Sequence, residues 1–71
     1  MPNYCVNRNP QPNGDYEVHD VASIKGCLPA ASNQVSLGYR GSCSDAVTAA
    51  KRLGYSTANG CAYCVPVCHT R

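Results

Sequence analysis

Phenylalanine and tryptophan are absent from this 71-residue chain, and methionine occurs once. Branched aliphatics are also few, with seven valines, three leucines and one isoleucine. Together these core-forming types are eleven residues, below the share of about one fifth under which a highly charged chain stays disordered. Charge is scarce too. Six Lys and Arg stand against four Asp and Glu, for a formal net charge of +2. Disorder driven by charge is therefore excluded, but an ordinary apolar core is also out of reach. Arg8, Lys25, Arg40, Lys51, Arg52 and Arg71 are scattered and form no basic run, which argues against a nucleic-acid partner. No apolar stretch approaches the roughly 18 residues of a membrane-spanning helix. A basic segment followed by an apolar run is missing at the N-terminus, so no signal peptide is read there. The expected location is cytoplasmic if Met1 is native, and secreted if a signal sequence has been removed.

What the chain has in excess is cysteine, six residues in 71. A chain this short makes one domain, 1–71, and small domains with thin cores are commonly stapled by disulfides or a structural metal. Cys5, Cys27, Cys43, Cys61, Cys64 and Cys68 are an even set, and six cysteines allow 15 connectivities that sequence cannot choose among. Cys61 and Cys64 are too close in the chain to staple each other usefully. Bridges from the tail to Cys5, Cys27 or Cys43 would close longer loops and restrict the unfolded chain more.

The alternative is zinc. Cys61-x-x-Cys64-x-x-x-Cys68-His69 places three sulfurs and an imidazole within nine positions, and a two-residue gap lets both thiolates of a knuckle reach one ion. Cys27 and His19 lie upstream and can complete the set. The metal candidates are thus Cys61, Cys64, Cys68, His69, Cys27 and His19. Without a ligand role, His19 reads as a strand-surface histidine and His69 as a mobile tail residue. A redox role for Cys61-x-x-Cys64 would need a helix start to lower the thiol pKa, and Pro66 argues for a strand instead. Cys64-x-x-x-Cys68-His69 is one residue too long for haem attachment. A nucleophilic cysteine with His19 or His69 as base needs a pocket that a chain this small rarely provides, so no enzyme is expected.

The pattern along the chain reads as α+β. Tyr4 to Val6 reads as a strand. A turn region follows, with Pro10, Pro12 and Asn13-Gly14. From Asp15 to Val21 the residues alternate, Tyr16 and Val18 on one face and Glu17 and His19 on the other, and pair with the first strand as a hairpin. A loop anchored by Cys27 and Leu28 precedes a third strand at Gln34–Tyr39. A helix is expected over Cys43–Leu53, with Ser42 as N-cap, Asp45 three residues on, Lys51 and Arg52 in the last turn, and Gly54 as its stop. Its inward face is Cys43, Ala46, Val47, Ala50 and Leu53. Tyr55–Gly60 reads as a polar connection. The tail from Cys61 to Arg71 reads as an edge strand, with Tyr63, Val65 and Val67 on one side and Cys64, Pro66 and Cys68 on the other. Of the five tyrosines, Tyr16 and Tyr39 are expected in the core. The expected fold is a three- or four-stranded antiparallel sheet with helix 43–53 on one face and the cysteine-rich tail tied back.

One pattern runs through nearly the whole chain: Tyr4 to Asn7, Asn13-Gly14-Asp15, Glu17-Val18-His19, Cys27, Leu28-Pro29, Leu37-Gly38-Tyr39, Cys43, Ala46-Val47, Gly60-Cys61, Tyr63-Cys64 and Cys68-His69-Thr70. On these residues the chain resembles a family of short, cysteine-rich bacterial proteins of uncharacterised function, and its first half resembles small β-β-β-α domains of bacteria. Members often carry His where this chain has Tyr16, and Cys5 stands here as an addition to the pattern. The resemblance implies a bacterial source and an α+β fold, and it implies no activity. The function expected from the residues is a non-enzymatic module with structural cysteines, held by disulfides or zinc, that binds another macromolecule, a protein being one candidate. The alternatives are a disulfide-stapled secreted antimicrobial or toxin-like peptide and a small thiol redox protein.

Overall fold

A computed structural model describes residues 3–70. Met1, Pro2 and Arg71, the last of these part of the expected tail strand, lie outside the described residues. Four strands and one helix follow in the order β1 (Asn3–Asn7), β2 (Tyr16–Asp20), β3 (Gln34–Tyr39), α1 (Cys43–Arg52) and β4 (Ala58–Gly60). The strands form one sheet in the order β3-β1-β2-β4. β1 pairs antiparallel with both β2 and β3, as the expected hairpin requires. β4 pairs with β2 in parallel, so the sheet is mixed and the fold α+β.

The fourth strand differs from the expected one in place and direction. It is Ala-Asn-Gly, three residues that favour strands poorly, and it forms because β2 offers a free edge, with Tyr16 opposite Ala58 and Val18 opposite Gly60. The tail makes no strand. Pro66 cannot donate to a ladder and instead starts a 3₁₀ turn, Pro66–Cys68. Val65 is buried, whereas Tyr63 and Val67 face solvent rather than sharing its side.

Helix α1 begins where its cap dictates. The Ser42 hydroxyl accepts a hydrogen bond from the Asp45 N–H at 3.2 Å. Gly54, with φ of 107°, takes the left-handed conformation that ends it. Ala46 and Ala50 are fully buried, and Cys43 and Val47 pack partly against the core. The expected Leu53 is a correction, because the helix ends at Arg52 and Leu53 lies 59% exposed. Small alanine side chains let the helix approach the sheet closely.

The core between helix and sheet comprises Tyr4, Val6, Val18, Leu37, Ala46, Ala50, Ala58 and Val65. Tyr16 packs partly against it and its ring lies 4.9 Å from that of Tyr55. Tyr39, expected in the core, is 68% exposed. The pairing of β1 with β3 shifts register between Tyr4 and Cys5, and Gly38 adopts φ of 73°, so the alternation that carries Val35 and Leu37 inward breaks before Tyr39. The opposite face of the sheet carries Cys5, Glu17, His19 and Asn59, the alternate positions of β1, β2 and β4.

Candidate metal centre

That second face has little apolar material, yet much of it is closed to water. Cys5 and His19 face each other across β1 and β2, and both are buried. His19 is the largest fully buried side chain among the described residues. The strand-surface position expected for it is therefore corrected, because the connection after β2 and the segment after β4 fold over this face.

Two turns bring the sulfurs there. After β2, Asp20 Oδ1 accepts from the Ala22 N–H at 2.9 Å and its carbonyl accepts from the Ser23 N–H at 3.0 Å, turning the chain toward Cys27. After β4, the Cys61 N–H continues the pairing with β2 by donating to the Val18 carbonyl at 2.9 Å. The Val65 N–H then donates back to the Cys61 carbonyl at 2.9 Å. This tight turn directs Cys61 and Cys64 to one spot, and the N–H groups of Cys64 and Tyr63 point at the Cys61 sulfur. The Asp20 N–H points at the sulfur of Cys64.

The result is a set of four, His19, Cys27, Cys61 and Cys64, whose ligand atoms all lie within 4.8 Å of one another. Around a tetrahedral zinc, with Zn–S of about 2.3 Å and Zn–N of about 2.0 Å, the ligand atoms would stand roughly 3.5–3.8 Å apart. Cys64 Sγ already lies 3.5 Å from His19 Nδ1. Three sulfurs and one imidazole nitrogen are a donor set suited to zinc, and this set could hold a metal ion.

Of the six sequence candidates, these four come together and two do not. The sulfur of Cys68 is joined to that of Cys43 in a disulfide whose Cα atoms are 6.1 Å apart. His69 Nδ1–H donates to the Gly60 carbonyl at 2.9 Å, which clasps the tail to β4. Cys5 is the remaining free thiol, buried beside His19 and outside the four.

Electrostatics at the cluster follow from burial and crowding. Burial pushes the Cys64 thiol up to about 12 and raises Cys61, both against opposing N–H contacts. For Cys27 burial also works upward, but contacts from Cys64, Cys61 and Ser23 outweigh it and its pKa is lowered. Ser23 Oγ lies 3.9 Å from its sulfur. Burial pushes Cys5 up to about 11, against the backbone N–H of His19, and the neighbouring Cys27 adds to the rise. Burial lowers His19, with Glu17 pulling the other way. Three thiols gathered here cannot all ionise unaided, and a bound cation is what would let them do so.

Sequence reasoning missed one residue of this neighbourhood, Glu17. Its Oε1 lies 3.6 Å from His19 Nε2. The signal was its spacing, since positions 17 and 19 share a face of β2. No helix among the described residues is long and apolar enough to cross a membrane. No protein family, curated protein or solved structure matches the chain.

Proposed function

We propose that this chain is a small non-enzymatic module built around one structural zinc ion, with His19, Cys27, Cys61 and Cys64 as ligands, and that it serves to bind another macromolecule. The observation that carries this reading is the convergence of four ligand atoms from three separate segments within 4.8 Å, while the other two tail candidates are otherwise engaged. A four-ligand protein set leaves no coordination position for a substrate, which favours a structural over a catalytic ion. A redox role for the Cys61-x-x-Cys64 pair is disfavoured. The pair starts no helix, Cys61 is fully buried, and both thiols are raised rather than lowered.

The second reading, a disulfide-stapled secreted peptide, draws support from the Cys43–Cys68 bridge, since such bonds persist in oxidising compartments. Intact mass without reductant separates the two. Zinc binding predicts a denatured mass short of the fully reduced one by a single pair of hydrogens, and a native mass heavier by one zinc. His19→Ala, Cys27→Ser, Cys61→Ser and Cys64→Ser each lose the ion, whereas His69→Ala keeps it. Three pairs of missing hydrogens and no metal would overturn the zinc reading in favour of the stapled peptide.

A further inference from the structure

We infer that Glu17 is a positioning residue for the metal centre, its carboxylate accepting the Nε2–H of His19 and so leaving Nδ1 free to bind the ion. This deepens the zinc reading and rests on it for the metal, but the tautomer it assigns to His19 belongs to the folded chain itself.

Three observations carry it. First, the two ring nitrogens of His19 face different chemistry. Nδ1 looks at the sulfurs, 3.5 Å from Cys64 Sγ, and Nε2 looks at Glu17 Oε1, 3.6 Å away. Second, Nε2 is buried and has no hydrogen-bond partner within range. A buried imidazole nitrogen left without a partner is unfavourable, and Glu17 is the acidic group that faces it. Third, Glu17 is itself held largely out of water, with a side chain 19% exposed, and shares its strand face with His19.

The tautomer follows from the charge. A neutral imidazole carries one N–H and one lone pair. A lone pair on Nε2 would meet the carboxylate oxygens, so the proton belongs on Nε2 and the lone pair on Nδ1. Only that tautomer can donate Nδ1 electrons to a cation held by Cys27, Cys61 and Cys64. The 3.6 Å separation of Nε2 from Glu17 Oε1 exceeds a good hydrogen bond by a few tenths of an ångström, a gap that a small rotation of the Glu17 carboxylate closes. Carboxylates that orient metal-bound histidines in this way change metal affinity by about tenfold to hundredfold when removed. The alternation of β2 sets the geometry, because a strand places residues two apart side by side on one face.

The test is a pair of variants, Glu17→Ala and Glu17→Gln, read two ways. In the metal-free protein, long-range ¹H–¹⁵N spectra of His19 should show the proton on Nε2 in the wild type and a mixture of tautomers in Glu17→Ala. With zinc, competition against a chelator should show affinity about tenfold to hundredfold lower in Glu17→Ala. Glu17→Gln, whose amide oxygen still accepts, should recover much of that loss. Cobalt substitution adds a readout that a loss of fold would not mimic, a shifted visible spectrum in Glu17→Ala with the metal still bound. Metal affinity and cobalt spectrum unchanged in Glu17→Ala, or a proton found on Nδ1 in the wild type, would overturn the inference. A wild type that takes up no zinc but keeps the Nε2 proton only when Glu17 is present would sink the zinc reading and with it the metal role of Glu17, leaving only the tautomer assignment.

Discussion

Gly60 shows how closely the tail must pass over the sheet. A Cβ at this position would lie 2.8 Å from the Val65 carbonyl oxygen and 2.8 Å from the Cys68 carbonyl carbon. Both are backbone atoms and cannot rotate aside. Gly60 also presents its carbonyl to His69 and directly precedes the ligand candidate Cys61. Gly60→Ala is expected to destabilise the fold by about 1–3 kcal/mol, as overpacking does elsewhere. Chemical denaturation of the two proteins at matched redox and metal conditions checks this. A fall well under 1 kcal/mol would mean that the tail yields, and that the turn carrying Cys61 and Cys64 is looser than described.

Among the elements, α1 depends most visibly on local signals. Its first turn is closed by the Ser42 side chain, and Asp45 lies where the helix dipole favours an acid. Ser42→Ala removes the acceptor for the Asp45 N–H and is expected to cost about 1 kcal/mol, read as a lower unfolding midpoint with an unchanged denaturant slope. β4 is the opposite case. It has no propensity of its own and holds by pairing with β2 and by a polar cluster at its edge. There Asn59 Oδ1 accepts from the Thr70 N–H at 3.1 Å, and Asn59 Nδ2 donates to Asp15 Oδ2 at 3.4 Å. Thr57 Oγ1 donates to the Gly14 carbonyl at 2.7 Å, tying the start of the same segment to the hairpin loop.

At the scale of the whole molecule, the sheet is closed by different means on its two faces. One face buries a modest apolar core under α1, and the other is covered by the cysteine-bearing segments. The Cys43–Cys68 disulfide, spanning 25 residues of sequence, links the helix to the tail that supplies Cys61 and Cys64. Loop-closure entropy assigns a bridge of this span about 3.5 kcal/mol. The double variant Cys43→Ser with Cys68→Ser is therefore expected to lose about that much stability. If the four candidates hold zinc as proposed, the same variant should also bind it more weakly, because a freer tail must be ordered on binding. Calorimetric unfolding and zinc titration of the variant check both effects, and equal zinc affinity would show that the metal turn folds independently of the bridge.

Residues whose neighbours in sequence are also their partners in space were legible without the structure. Ser42, Asp45 and Gly54 bound the helix through contacts three residues apart or fewer, and the alternation of Tyr16 to His19 put Val18 and His19 on opposite faces. All four ligand candidates were named, because sulfur and imidazole chemistry is written in residue type. The choice among six was not legible. Whether Cys68 joins Cys43 or an ion, whether His19 is exposed or buried, and whether Ala58–Gly60 pairs at all depend on contacts between residues up to 45 positions apart. Local propensity carries no information about those contacts. By itself the sequence determined an α+β chain with too little apolar mass and a chemical need for staples. Only the tertiary structure decided which sulfurs meet, because the distance between two side chains is set by how the sheet, the loop after β2 and the tail close around them.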